Sequence, residues 1–229
     1  ITTIAAIEIL RFVLRRKTPV DIIIIPFFSS ILAFAVASLI GSPVAYGMSQ
    51  IGAFINMATE FTPFFMGIVI AVVMGMALTA PISSAAIAIS IGISNPEYVT
   101  FAIAGGAAVV GGATQMIGFA VMSRKDNSIG TVLAVAFGTS MLQFKNILRK
   151  PIIWVPTIIT SAILGPISTM LFQIETNTVG AGMGTSGLVG QIGTLDIMGY
   201  ELSTILIVIL MHFILPALLV FGIDVFFRH

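Results

Sequence analysis

The chain contains no cysteine, which excludes disulfides, thiolate metal sites and cysteine nucleophiles. Charge is scarce as well. Asp, Glu, Lys and Arg make up 8% of its 229 residues, where a soluble globular domain carries about 25%. With so few ionised groups the chain cannot cover a water-facing surface. The net charge is +1, and no basic patch interleaved with aromatics occurs, so no nucleic-acid partner is expected. The two histidines, His212 and His229, are isolated, and neither a His-Glu-x-x-His run nor paired aspartates appear. Serine-hydrolase and phosphate-loop signatures are missing too. No metal, no cofactor and no covalent step by this chain alone are expected.

What is present is apolar. Hydrophobic residues make up 58% of the chain and the mean hydropathy is +1.13, so the chain reads as an all-α polytopic membrane protein, since helices satisfy their own backbone in lipid. It opens on Ile-Thr-Thr-Ile-Ala-Ala with neither Met nor a basic leader, which reads as the middle of a helix rather than a signal peptide. A single transmembrane domain over 1–229 is expected, as a fragment lacking earlier helices.

A spanning helix needs about 20 apolar residues. Residues 1–14 read as the end of a helix leading to Arg15-Arg16-Lys17, and 21–40 as a full span stopped by Gly41-Ser42-Pro43. Residues 43–59 are mixed and read as interfacial. Residues 62–79 form a second span ended by Pro81, and 81–93 a half-helix or thin span. Residues 97–122, 151–173 and 198–223 read as further spans, while 130–144 is too short to cross. Basic residues gather at Arg15-Arg16-Lys17, Arg124-Lys125, Lys145 with Arg149-Lys150, and Arg228. Short loops rich in Lys and Arg stay cytoplasmic. One assignment puts every cluster, and the C-terminus, on the cytoplasmic side if 130–144 dips in and returns. That segment therefore reads as re-entrant. Non-helical backbone at membrane depth must be buried in protein or line a wet cavity, which is transporter or channel anatomy.

The second re-entrant candidate is Glu175-Thr-Asn-Thr-Val-Gly-Ala-Gly-Met-Gly-Thr-Ser-Gly-Leu-Val-Gly190. Its regular glycines let a backbone approach a ligand closely. Glu175 closes the preceding span, where a carboxylate can accept hydrogen bonds from ligand hydroxyls or simply be solvated. Thr176, Asn177, Thr178, Thr185, Ser186 and Gln191 add both donors and acceptors. Hydroxyl-rich ligands need that mixture; an anion would want arginines, and none lies nearby. His212 sits mid-way along the last span, four residues before Pro216. Proline has no N–H, so the His212 carbonyl loses its helical partner. The imidazole can orient a ligand or take a proton, or bond a neighbouring helix. Gln143, Lys145 and Asn146 would sit at the cytoplasmic mouth of the short segment, Asp196 and Glu201 read as solvated, and Glu60 as an outer-face anchor.

Gly105, Ala108 and Gly112 share a helix face and suit close helix packing. The twelve methionines and seventeen phenylalanines read as lipid contact and core filling. A weak internal echo relates Ala80-Pro81-Ile82-Ser83-Ser84 to Gly165-Pro166-Ile167-Ser168-Thr169. It also relates Gly111-Gly112-Ala113-Thr114-Gln115-Met116-Ile117-Gly118 to Gly187-Leu188-Val189-Gly190-Gln191-Ile192-Gly193. Interrupted segments in corresponding positions point to a transporter site.

At Thr18-Pro19-Val20-Asp21, Ala80-Pro81-Ile82-Ser83-Ser84-Ala85-Ala86 and Glu175-Thr176-Asn177-Thr178-Val179-Gly180, the chain resembles the membrane (enzyme IIC) component of the bacterial sugar phosphotransferase system. The nearest branch is that of the toxin-regulator, perfringolysin-regulator-like proteins. The resemblance implies an enzyme IIC-like bundle with re-entrant hairpins, in the bacterial cell membrane and working as a homodimer. Such a bundle carries a sugar while cytoplasmic IIA and IIB proteins phosphorylate it. It implies a carboxylate and a histidine at the sugar, which Glu175 and His212 match. The chain departs from the pattern in having Ile-Glu-Thr-Asn where several members carry an Asn-Glu-Pro type motif, and in placing the histidine after the carboxylate. The leading reading is a transporter for a small hydroxylated solute. Alternatives are a membrane-embedded ligand-sensing regulator that does not transport, and an ion-coupled transporter or channel. An intramembrane enzyme is the least supported, for want of a paired acid and base.

Overall fold

The computed structural model describes residues 21–59, 61–90 and 99–228. The expected helix end at 1–14, the Arg15-Arg16-Lys17 cluster, Glu60, residues 91–93 and His229 lie outside them. By its contacts the chain divides into two units, Ile1–Gln50 and Ile51–His229.

The described part of the first unit is helical. Helix α1 (Asp21–Thr59) contains Pro26 and Pro43. The Gly41-Ser42-Pro43 stretch does not stop it: the axis bends by 50° between Pro26–Leu39 and Gly41–Ile51. Pro43 removes one N–H and leaves one carbonyl without its partner, yet the helix resumes. The residues read as interfacial, 43–59, are its continuation.

The described residues of the second unit form helices joined by short turns and extended links. Helix α2 (Pro63–Thr79) opens on a proline whose missing N–H costs nothing at that position. It ends where Ala80 turns extended ahead of Pro81, as the residue before a proline must. A short helix α3 (Ser84–Ser90) follows. Helix α4 (Val99–Ser123) is the centre of the unit: its Ala102–Ser123 stretch is 94% buried although apolar enough to cross a membrane. It packs on α2, on α7 (Val155–Pro166) and on α11 (Leu215–Arg228). Glycines set how close those helices lie. A Cβ on Gly111 would fall 2.6 Å from the Ala71 carbonyl carbon of α2, and one on Gly75 would fall 2.7 Å from the Gly111 oxygen. Gly112, on the face expected for close packing, meets Gly184.

The short segment 130–144 is a broken helix. Ser128 caps α5 (Ile129–Leu133), which widens into a π turn at Ala134–Gly138. Thr139 is extended and caps a 3-10 turn, Ser140–Gln143, that leads into α6 (Phe144–Arg149). A second 3-10 turn (Pro151–Trp154) starts the next span, which runs through α7 into a π stretch (Ile167–Phe172) immediately after Pro166. Gln173, in the left-handed region at φ 45°, ends it.

The glycine-rich stretch folds as α8 (Thr178–Met183), a 3-10 turn (Ser186–Leu188) and α9 (Val189–Met198). Its glycines are used at the turn. Gly184 and Gly187 have φ of 54° and 55°, where only glycine sits without strain. Leu188 follows at φ 61°. The last span joins α10 (Leu202–Ile209), a π turn (Leu210–Ile214) and α11. Only 28% of its most apolar stretch is buried, so the described residues leave most of its surface uncovered. Among the described residues three helical stretches are long and apolar enough to cross a membrane, four with the bent α1, and there is no strand.

Candidate functional site

Pro216 shapes the last span around His212. With no N–H at 216, the helix cannot close the ordinary bond to the His212 carbonyl. One turn earlier the spiral has widened, and Leu215 N–H reaches back to the Leu210 carbonyl. Single π turns of this kind are frequent at functional sites. Here the wider turn carries His212 inward, fully buried, where its Nδ1 lies 3.0 Å from Gln191 Nε2 of α9. In this amide orientation the NH₂ group donates to Nδ1, so the imidazole proton sits on Nε2. Gln191 Oε1 and His212 Nε2 are both buried with no partner. A buried acceptor on α9 and a buried donor on the last span are thus left, each at a cost of about 1–3 kcal/mol while unfilled.

The other expected site residues fall into two further sets. Asn177 caps α8, its Oδ1 accepting the Gly180 N–H at 2.8 Å. Beside it Thr176 is buried with its Oγ1 unsatisfied. Both side chains face Gly193 of α9, where a Cβ would lie 2.7 Å from Asn177 Oδ1 and 3.0 Å from Thr176 Oγ1. Thr178 opens α8. Thr185 and Ser186 serve the broken segment instead. Thr185 Oγ1 donates to the Ala136 carbonyl at 2.5 Å, and Ser186 Oγ to the Gly138 carbonyl at 2.8 Å. They pin the turn to the end of the π turn. Glu175 is half-buried, and its backbone N–H is directed at Met198 Sδ, 3.4 Å away. Asp196, read as solvated, accepts a hydrogen bond from the exposed Tyr200 hydroxyl. That bond, with the nearby carboxylate charge, raises the phenol above its usual 10.

A polar centre also sits on Gln115 of α4, within the Gly111–Gly118 half of the internal echo. Its Oε1 accepts from Trp154 Nε1 at 3.0 Å, Thr157 Oγ1 at 3.0 Å and, more weakly, Thr79 Oγ1 at 3.4 Å. Thr79 in turn meets Ser140 Oγ at 3.0 Å. The indole can only donate, which fixes the amide with its oxygen toward Trp154. Gln115 Nε2 is buried without a partner. One amide therefore ties α2, α4, the broken segment and the start of α7. A lone glutamine in a glycine-rich apolar run is the signal the sequence offers. The remaining unsatisfied hydroxyls, Thr114, Thr160, Ser161 and Ser168, belong to α4, α7 and the π stretch after it.

Among the described residues no group of three His, Asp or Glu could hold a metal ion. Asp224 is the one carboxylate among the buried side chains described, and the other buried polar groups are Ser, Thr, Gln and His. Gly182 closes against Ala85 as Ser84 Oγ donates to the Gly182 carbonyl at 2.6 Å, so the Pro81-Ile82-Ser83-Ser84 segment and the glycine stretch, both expected near a ligand, are neighbours. No curated protein and no solved structure matched the chain. The family model described as "Phosphotransferase system, EIIC" matches residues 1–229. An all-helical membrane bundle with a largely neutral polar interior fits that match, and the chain belongs to the EIIC family, the sugar-transporting membrane components of the phosphotransferase system.

Proposed function

We propose that this EIIC protein carries a neutral hydroxylated solute, a sugar, held between the glycine-rich stretch and the last span. The observation that supports this best is the half-satisfied Gln191–His212 pair, which leaves a buried donor on the last span and a buried acceptor on α9. A sugar hydroxyl both donates and accepts, so sugar hydroxyls can complement both members of that pair. The Thr176 hydroxyl, against Gly193 on the same helix as Gln191, adds a third buried partner. Half-buried Glu175 accepts from a further hydroxyl. Asn177, Thr185 and Ser186 hold the backbone of the site in place. The solute is phosphorylated by a separate IIB protein supplied by IIA, and the protein works as a homodimer of the toxin-regulator branch. The Arg124-Lys125 end of α4 and the C-terminus face the cytoplasm.

Uptake of a sugar panel into vesicles, with and without a phosphoryl-donor protein, tests the reading. Accumulation of sugar phosphate only with the donor is expected. Saturable binding without accumulation would instead make the protein a sensor, and flux that follows an ion gradient would make it an ion-coupled carrier. Glu175→Gln should fold normally and lose sugar binding; unchanged binding removes Glu175 from the site.

A further inference from the structure

Residues 141–152 form a platform at the start of a span. They run through the 3-10 turn Ser140–Gln143 and α6 into the Pro151–Trp154 turn, where the apolar stretch Pro151–Phe172 begins. Buried contacts hold the platform at three points. At one end Ser140 Oγ meets Thr79 Oγ1 at 3.0 Å, and at the other Trp154 Nε1 donates to Gln115 Oε1 at 3.0 Å. Between them Ile147, 2% exposed, enters a core with Ile117, Phe119 and Val220. The backbone that carries the outward side chains is therefore fixed in advance, which spares a ligand the cost of ordering it.

The outward side chains are of two kinds. Lys145, Arg149 and Lys150 are exposed. Lys145 and Arg149, four apart on α6, share a face. Between Asp126 and Glu175 the chain has these three cations and no Asp or Glu, so the segment carries no balancing charge of its own. The bond from Asn146 Nδ2 to Gln143 Oε1, at 2.9 Å, joins two amides and leaves the cations out. Leu142, Leu148 and Ile152, interleaved with those cations along the chain, are each more than half exposed. A soluble acidic partner would call for the cations but not for bare leucines at the edge of a span. Cations beside exposed apolar side chains match a phospholipid instead, with its phosphate at the charges and its acyl chain along the apolar groups.

We infer that residues 141–152 bind an anionic phospholipid, its phosphate at Lys145, Arg149 and Lys150 and its acyl chain against Leu142, Leu148 and Ile152. Both ends of the platform are tied to the Gln115 centre, one directly through Trp154 and the other through Ser140 and Thr79. A bound lipid therefore also steadies the junction that this centre holds together. Positive charge at the end of a span orients it during insertion as well, and a purified, folded protein separates that role from binding. With several cations at one headgroup, an anionic lipid should be preferred to a zwitterionic one by about tenfold or more.

Native mass spectrometry of the full chain in detergent tests it, with phosphatidylglycerol and phosphatidylcholine of identical acyl chains as the probes. One phosphatidylglycerol should be retained about tenfold more tightly than phosphatidylcholine. The triple variant Lys145→Gln/Arg149→Gln/Lys150→Gln, at exposed positions that leave the core untouched, should remove that preference, and Lys145→Arg/Lys150→Arg should keep it. In the wild type, where no variant has to fold, raising the ionic strength should shrink the preference. Equal retention of the two lipids by the wild type overturns the inference, as does a preference that survives the triple variant. A preference indifferent to salt overturns the role of the cations. Displacement of the lipid by glycerol 3-phosphate at equal concentration would make the platform a site for soluble phosphates and overturn the lipid.

Discussion

Gln191 and His212 satisfy one another only halfway, and that is where the residue scale bears on function. Each keeps one buried polar atom unfilled, and a filled site would recover what the empty one forfeits. Gln191→Leu should therefore abolish solute binding. It also strands His212 Nδ1, so the thermal midpoint in detergent should fall by an amount equivalent to about 1–3 kcal/mol. Binding that survives this variant would remove the pair from the site. Both residues stand out in the sequence because polar groups in apolar runs are expensive, but their pairing does not, since it depends on how the π turn rotates His212 toward α9. Asn177, Thr185 and Ser186 show the opposite. Read as ligand groups, they are a helix cap and two carbonyl partners. Asn immediately before a helical run is itself a cap signal. Nothing in the sequence could say that Thr185 and Ser186 meet carbonyls some 48 or 49 positions away.

At the scale of elements, hydropathy located the spans at 97–122, 151–173 and 198–223 because lipid forces the backbone into helices, whereas 62–79, also expected to cross, is a shorter apolar helix of 17 residues. It misjudged Gly41-Ser42-Pro43, which bends α1 instead of ending it, because a proline removes one bond and the rest of the ladder can resume. The close-packing face on α4 was legible from small residues, but which of them carry the approach was not. Gly111→Val should cost about 1–3 kcal/mol by overpacking, since its new side chain meets the Ala71 backbone rather than a yielding side chain. Gly222→Ala, within α11 and with nothing within 4 Å, should be neutral or stabilise by up to about 1 kcal/mol. Thermal unfolding of the two variants checks the contrast; equal midpoints would mean that glycine at 111 is not what sets the α2–α4 distance.

For the whole molecule, burial separates roles that composition alone merges. The Ala102–Ser123 and Leu202–Phe227 stretches both pass as spans, yet one is 94% and the other 28% buried. The first is the scaffold and the second a wall. Sidedness is the remaining whole-molecule question, and the absence of cysteine makes it directly measurable. Single-cysteine variants carry no background. Lys145→Cys and Glu201→Cys, both at exposed positions, should react with impermeant maleimide from opposite faces of intact cells, the first only after the cytoplasmic face is opened. Labelling of both from the same face would overturn the charge-based orientation.

The Gln115 amide has a spectroscopic consequence. Trp154 is the only tryptophan, and its indole N–H donates to the same oxygen that receives Thr157 and Thr79. The protein thus carries a single tryptophan, excitable apart from its three tyrosines, wired to the junction of α2, α4, the broken segment and α7. Any rearrangement that draws Thr79 or Ser140 away, or wets the junction, changes the polarity felt by the excited indole. Emission at a single residue therefore reports the state of the junction without any label, and Gln115→Leu, which deprives the indole of its acceptor, supplies the reference spectrum for an open one. If added sugar shifts the wild-type spectrum toward that reference, binding loosens the junction; a spectrum that stays put under saturating sugar means that the solute passes without disturbing it.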